Sequence, residues 1–178
     1  MLLVGYGCLD VAAVRGQEVV DTRREYNVKA ATLYAFGRYV TWPDSAFQGA
    51  ADPFVIGVLG SNPFGDALDT IAAKKTIDGR PILVRQLASQ SEYADCHIVF
   101  VTHAVPPEME ASLFRLVAGQ PLLLVGEMKG FAERGGIVNF YLSGGHVRFE
   151  LNANKAVEAN LGLNAKLLSL GTKVSADE

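Results

Sequence analysis

The chain has 178 residues, a formal net charge of −3 at pH 7, and 49% hydrophobic against 20% charged residues. This mix is typical of one globular domain with a sizeable core. It contains no Lys/Arg run, which argues against nucleic acid as a partner, and no apolar stretch that approaches the ~20 residues of a membrane-spanning helix.

Residues 1–24 match neither a regular element nor a linker. A short apolar opening is followed by small residues and then by a polar stretch, so we expect the remnant of a secretory signal peptide, incomplete because the charged region is missing, or a disordered arm. Cys8 lies in this segment. If the segment is removed, Cys96 has no partner within the chain, and no disulfide framework is expected.

A helix is predicted over residues 25–41, where apolar side chains recur at spacings of three and four from Val28 onward, with Lys29 and Arg38 off this stripe. Trp42 should end the helix, because the proline that follows it disfavours the helical conformation in the preceding residue. The Trp42 ring either plugs the edge of the core or belongs to a surface that binds a partner. The residues alone leave both roles open.

The middle of the chain alternates between strand and helix patterns. Four apolar runs predict buried strands, and two segments with helix-start signals lie between some of them: the strands at residues 54–60, 80–87, 97–101 and 121–126, and the helices at residues 61–75 and 106–119. Such alternation indicates an α/β sheet that is at least partly parallel.

Two alternating runs around Gly144-Gly145 predict an antiparallel hairpin over residues 136–152. If Ser143 pairs with His146, three apolar pairs share one face, and a slip of one residue would mix the faces. The other face is a polar strip that consists of Asn139, Tyr141, Arg148, Glu150 and Asn152. This strip is a solvated surface, a partner-docking face, or a zwitterion-sized pocket in which the guanidinium holds a carboxylate and the glutamate an ammonium.

One or two short helices with a break near Gly162 are predicted for the segment after the hairpin, and residues 172–178 form a polar tail. We therefore predict an α/β fold: a single-domain layered sandwich over residues 25–171. Its mixed sheet has a parallel βαβ portion and an antiparallel C-terminal hairpin, with helices on both faces.

No motif predicts catalysis. Gly57, Gly60 and Gly65 lack the spacing of a dinucleotide- or phosphate-binding loop. Cys96 and His97 are adjacent, so on a strand they point to opposite faces, and no second pair completes a metal site. We expect neither an enzyme, nor a cofactor, nor a bound metal ion.

Six blocks of this sequence, in order over residues 25–171, together resemble the YfiR-like family of small bacterial envelope proteins. The blocks are EYNVKAATLYAFGRYVTWPDSAF, VIGVLGSNPFGDAL, GRPILVR, CHIVF, GFAERGGIVNFYL and VRFELNANKAVEANLGLNAKLLSLG. The resemblance implies a periplasmic, non-catalytic and dimeric regulator. It would bind the periplasmic domain of a membrane-bound diguanylate cyclase and restrain it, and so control cyclic-di-GMP and biofilm formation.

The resemblance also implies where a partner or ligand binds. The region falls near the R-F-E-x-N strand, on Arg148, Glu150 and Asn152, with Arg38 added from the first helix. By the same resemblance, Trp42 fixes how that helix meets the loop. The alternative function is a periplasmic module that binds an amino-acid-like or aromatic metabolite without a cyclase partner.

Overall fold

The computed structural model describes the backbone of residues 11–175 and the side chains of residues 21–175. Within residues 11–175 the helices are α1 (Val11–Tyr39), α2 (Ala67–Lys74), α3 (Pro107–Leu116), α4 (Phe131–Arg134), α5 (Ala153–Glu158) and α6 (Ala165–Leu170). The strands are β1 (Val40–Thr41), β2 (Phe54–Leu59), β3 (Thr76–Ile77), β4 (Arg80–Leu87), β5 (Ile98–Val101), β6 (Leu123–Gly126), β7 (Val138–Ser143), β8 (His146–Asn152), β9 (Gly162–Leu163) and β10 (Thr172–Val174).

In the described part of the chain, eight strands form one mixed sheet in the order β10-β8-β7-β6-β5-β2-β4-β3, while β1 pairs with β9 apart from it. Strands β4, β2, β5, β6 and β7 run parallel, and β8 is antiparallel to β7. The predicted α/β class, with its parallel portion and C-terminal hairpin, is confirmed.

The sheet is covered on both faces, which explains why its central strands are apolar throughout. Alternate side chains of β2, such as Phe54 and Ile56, pack in a cluster with α1, α2, α5 and α6. Val55 and Leu59 point the other way, into a second cluster with α3 and α4. Helices on both faces of the sheet were predicted, and the two clusters confirm them.

Helix α1 is longer than predicted and buries a different face. It is helical from Val11, the first described residue, so residues 11–24 are helical; residues 1–10 lie outside the described residues. Its buried side chains include Tyr26, Lys29, Ala30, Leu33 and Phe36. Val28, the first residue of the predicted apolar stripe, is 44% exposed, whereas Lys29 is only 4% exposed. The predicted face was wrong because alanines and tyrosines occur on several sides of this helix, so spacing alone does not single out the buried side.

The hairpin has the predicted register, from Ser143 opposite His146 to Val138 opposite Leu151. Gly144 and Gly145 have φ angles of 57° and 75°, which suits glycine in a two-residue turn that joins twisted strands. The apolar face packs on α1: Phe36 stacks on Phe140 with ring centroids 5.8 Å apart and meets the edge of Phe149 at 5.2 Å.

Other elements also differ from the prediction. Helix α2 begins at Ala67 rather than near Ser61, because the Asn62 side chain accepts the backbone N–H of Phe64 and forms a turn before the helix. Helix α4 was not predicted, and residues 172–174 of the predicted tail pair with β8 as strand β10. None of the helices in the described part of the chain is long and apolar enough to cross a membrane.

Candidate functional site

A cavity of about 550 Å³, which we call the edge cavity, opens at the carboxyl end of the parallel strands. His103 follows β5 and Glu127 follows β6, so both lie at this edge of the sheet. The middle of α1 and the β7–β8 hairpin supply the remaining walls. Ligands of α/β sheets usually bind outside the carboxyl ends of the strands, so this position favours binding.

One side of the edge cavity, which we call the inner wall, consists of Glu25, Tyr26, Lys29, His103 and Glu127. Glu127 is at its centre, and the Glu127 side chain is 4% exposed. Its Oε2 accepts hydrogen bonds from Lys29 Nζ at 2.8 Å and from the Tyr26 hydroxyl at 3.1 Å. Its Oε1 accepts the backbone N–H of His103 at 3.1 Å and lies 3.0 Å from His103 Nδ1. Glu25 forms a second ion pair with Lys29. This network ties α1 to the edge of the sheet.

The surroundings of Glu127 keep it ionised. Burial by itself raises the pKa of Glu127, but the hydrogen bond and charge of Lys29, together with the hydrogen bonds from His103, outweigh burial and hold this pKa below its usual range. Burial and the Glu127 carboxylate both raise the pKa of Tyr26, so its hydroxyl stays protonated and donates.

The hairpin wall of the edge cavity contains three of the predicted site residues, Asn139, Tyr141 and Glu150. Asn139 is 2% exposed, and its Nδ2 donates to Glu150 Oε2 at 2.9 Å. Its Oδ1 has no hydrogen-bond partner among the described residues. The Tyr141 hydroxyl lies 3.1 Å from Thr172 Oγ1. The alternation of apolar and polar residues in the sequence therefore correctly predicted that these three side chains lie on one face of the hairpin.

The other four predicted residues lie elsewhere. Arg148 and Arg38 are exposed and do not line the edge cavity; the Arg38 guanidinium lies 5.9 Å from the Tyr34 ring centroid. Asn152 is completely buried and bonded to the backbone. Trp42 is 9% exposed and meets Phe54 edge-on at 4.9 Å, so its ring takes the plug role.

The inner wall was missed from sequence. Lys29 and Glu127 are 98 residues apart, and the apolar stripe predicted from sequence excludes Lys29 from the buried face of its helix. The only local signal was Glu25, one helical turn before Lys29, and such a pair is equally typical of a solvated surface.

His97 is a second buried titratable group, remote from the edge cavity. It is 4% exposed and stacks against Phe47 and Phe54, with ring centroids 4.4 and 4.8 Å away. Its Nδ1 lies 3.0 Å from the backbone N–H of Val55, which must donate, so Nε2 carries the proton and donates to the Ala46 carbonyl at 3.1 Å. Burial lowers the pKa of His97, and the charge of Arg80 acts in the same direction.

This geometry predicts a pH dependence of stability. The folded state holds the pKa of His97 below the unfolded value of about 6.5. The contribution of neutral His97 to the free energy of unfolding is therefore complete above that pH and is lost as the pH falls through the folded pKa. We expect the free energy of unfolding in urea to fall more steeply between about pH 7 and pH 5 in wild type than in His97→Asn. His146→Asn, on the exposed hairpin turn, should keep the wild-type slope. Equal slopes for all three proteins would contradict the prediction.

Comparison with known proteins gives one match along most of the chain: the model of the YfiR/HmsC-like proteins covers residues 26–172. The search of curated proteins found no match. One similar solved structure is the ABC domain in complex with L-Trp from Streptococcus pneumonia, with 14% identity, a TM-score of 0.43, and coverage of 68% of this chain and 55% of that chain.

A second similar structure is FHMPC 5-dehydrogenase, an NAD+-dependent dismutase, with 11% identity, a TM-score of 0.35, and coverage of 70% of this chain and 58% of that chain. The chain thus spans little more than half the length of these two proteins, and neither likeness bears on its function.

Proposed function

Because this chain belongs to the YfiR/HmsC-like family over residues 26–172, we propose that it is a non-catalytic periplasmic protein that binds and restrains a membrane-bound diguanylate cyclase. The family match carries this proposal. The expected consequence is control of cyclic-di-GMP, so that release of the cyclase raises this messenger and promotes biofilm formation. We also propose that the protein acts as a homodimer.

The exposed arginines support a contact with an acidic patch on the cyclase. Arg148 lies on the polar side of β8, is exposed, and has no ion-pair partner within residues 21–175. Arg38 is exposed near the end of α1. Arginine is enriched among residues that dominate binding energy at protein interfaces. We therefore place the docking face on Arg148, with Arg38 as a second contact.

The test combines binding and a cellular readout. The purified chain is titrated by calorimetry with the isolated periplasmic domains of the membrane-bound diguanylate cyclases of the same bacterium. We expect saturable binding to one of them, weakened about tenfold or more by Arg148→Glu, because the reversed charge meets a like charge. Arg115→Glu, an exposed position on α3, is the matched control and should bind as wild type.

The same proposal predicts that deletion of the gene raises cellular cyclic-di-GMP. No binding to any of these periplasmic domains, together with unchanged cyclic-di-GMP after deletion, would refute it.

A second candidate function is a small-molecule binding module without a cyclase partner. The edge cavity favours it, since Asn139, Tyr141 and Glu150 line one wall. A zwitterion clamp between Arg148 and Glu150 has no support, because Arg148 does not line that cavity. Binding of a metabolite, with no cyclase domain bound, would favour this candidate over the first.

A further inference from the structure

The edge cavity already holds one ammonium group, which belongs to the protein itself. Lys29 Nζ is 2.8 Å from Glu127 Oε2, forms a second ion pair with Glu25, and lies 4.4 Å from the Tyr26 ring centroid. Carboxylate oxygens and the face of a tyrosine are what an alkylammonium needs when it leaves bulk water. The inner wall therefore shows which chemistry this cavity accommodates.

The hairpin wall repeats this set of groups. Glu150 supplies a carboxylate, Tyr141 an aromatic ring, and Asn139 a second acceptor, all on the same cavity. One carboxylate oxygen of Glu150 accepts a hydrogen bond from the Asn139 side-chain amide. Asn139 Oδ1 is buried and has no partner among the described residues. A buried carbonyl oxygen without a donor is destabilising, so a ligand that supplies the donor gains binding free energy.

We propose that the edge cavity binds a small molecule through a primary alkylammonium group, held by Glu150 and Asn139 against the Tyr141 ring. Asn139 lines the edge cavity, and its terminal torsion is soft, so a rotation of the amide, with adjustment of its bond to Glu150, would present Oδ1 to the ligand. The primary amine suits this site because its three N–H groups can meet both acceptors.

The size and charge of the cavity agree with such a ligand. A volume of about 550 Å³ lies within the usual range for small-molecule sites. Three glutamates line it against two lysines, beside His103. Glu25 and Glu127 are already engaged with Lys29, which leaves Glu150 to attract the ligand cation.

The test is a titration of the ¹⁵N-labelled wild-type chain with n-butylamine at neutral pH, with 1-butanol as the uncharged analogue of the same length. We expect saturable shifts of the Asn139 side-chain amide and the Tyr141 backbone amide with butylamine and none with butanol. Putrescine and β-alanine share the ammonium group. Tighter binding of either than of butylamine supports the site and tells whether its natural ligand carries a second ammonium or a carboxylate.

Substitutions make the proposal falsifiable. Glu150→Gln keeps the shape of the side chain and the acceptor for Asn139 but removes the negative charge. We expect it to weaken the binding of butylamine about tenfold or more. Glu108→Gln, an exposed position at the start of α3, should bind as wild type. Absence of shifts at millimolar amine, equal affinity in Glu150→Gln, or equal shifts with butanol would overturn the proposal.

This inference does not rest on the cyclase proposal. Amine binding is measured on the isolated chain and depends on Glu150, whereas cyclase binding is measured with a partner and depends on Arg148. Failure of one measurement therefore leaves the other proposal standing.

Discussion

Replacing Lys29 with methionine is expected to lower the free energy of unfolding by about 3–5 kcal/mol, because it leaves the buried Glu127 carboxylate without its ammonium partner. The Glu127 side chain is 4% exposed and loses its ammonium partner, while methionine retains most of the lysine stem, so lost packing contributes little. The loss is a large fraction of the roughly 5–15 kcal/mol that holds a domain folded.

Urea unfolding at neutral pH measures this effect. Lys74→Met, on the exposed side of α2, is the matched control and should change stability by about 0.5 kcal/mol or less. Lys29→Met combined with Glu127→Leu should recover much of the loss, since replacing a whole buried pair with apolar residues is often nearly neutral. If Lys29→Met is no worse than the control, the ion pair does not tie α1 to the sheet.

The parts of the fold that were predicted well rest on local patterns. The hairpin register follows from one glycine pair and the alternation on either side of it, because a slip of one residue would bury Arg148 and Glu150 and expose Phe140. Strand β4 covers the predicted residues 80–87. In both cases the decisive information lies within a few residues along the chain.

The parts that were missed depend on contacts between distant segments. The face of α1 is chosen by the aromatic rings of the hairpin, which contact Phe36, and by Glu127, which is 98 residues from Lys29. A lysine on a helix is usually solvated, so only its distant partner shows that this one is buried.

The candidate site has the same division. Asn139, Tyr141 and Glu150 share one face of the β7–β8 hairpin, and the alternation of apolar and polar residues in the sequence was enough to group them. This face closes a cavity against α1 and the loop after β6 because the strands lie in the order β7-β6-β5. The local sequence pattern does not predict that strand order. The resemblance also pointed to Asn152 as part of the binding region, and here the structure shows a different role.

Asn152→Ala is expected to lower the free energy of unfolding by about 2–4 kcal/mol, through two losses at one position. Its Oδ1 accepts the Lys155 N–H at 3.1 Å and caps α5, and its Nδ2 donates to the Ala132 carbonyl at 2.8 Å. Alanine removes the cap and leaves a buried carbonyl of α4 without its hydrogen-bond donor. Because Asn152 is 0% exposed, this asparagine joins β8, α4 and α5 and does not face a ligand.

Asn164→Ala is the matched control for the Asn152 experiment. Asn164 caps α6 with the same kind of hydrogen bond, to Leu167 N at 2.9 Å, but is itself exposed, so its loss should cost only about 1 kcal/mol. Urea unfolding compares the two variants, and the folded Asn152→Ala protein should still bind butylamine as wild type does. Equal destabilisation by both substitutions would refute the bond to Ala132 as a second source of stability. A selective loss of amine binding in folded Asn152→Ala would return Asn152 to the binding site.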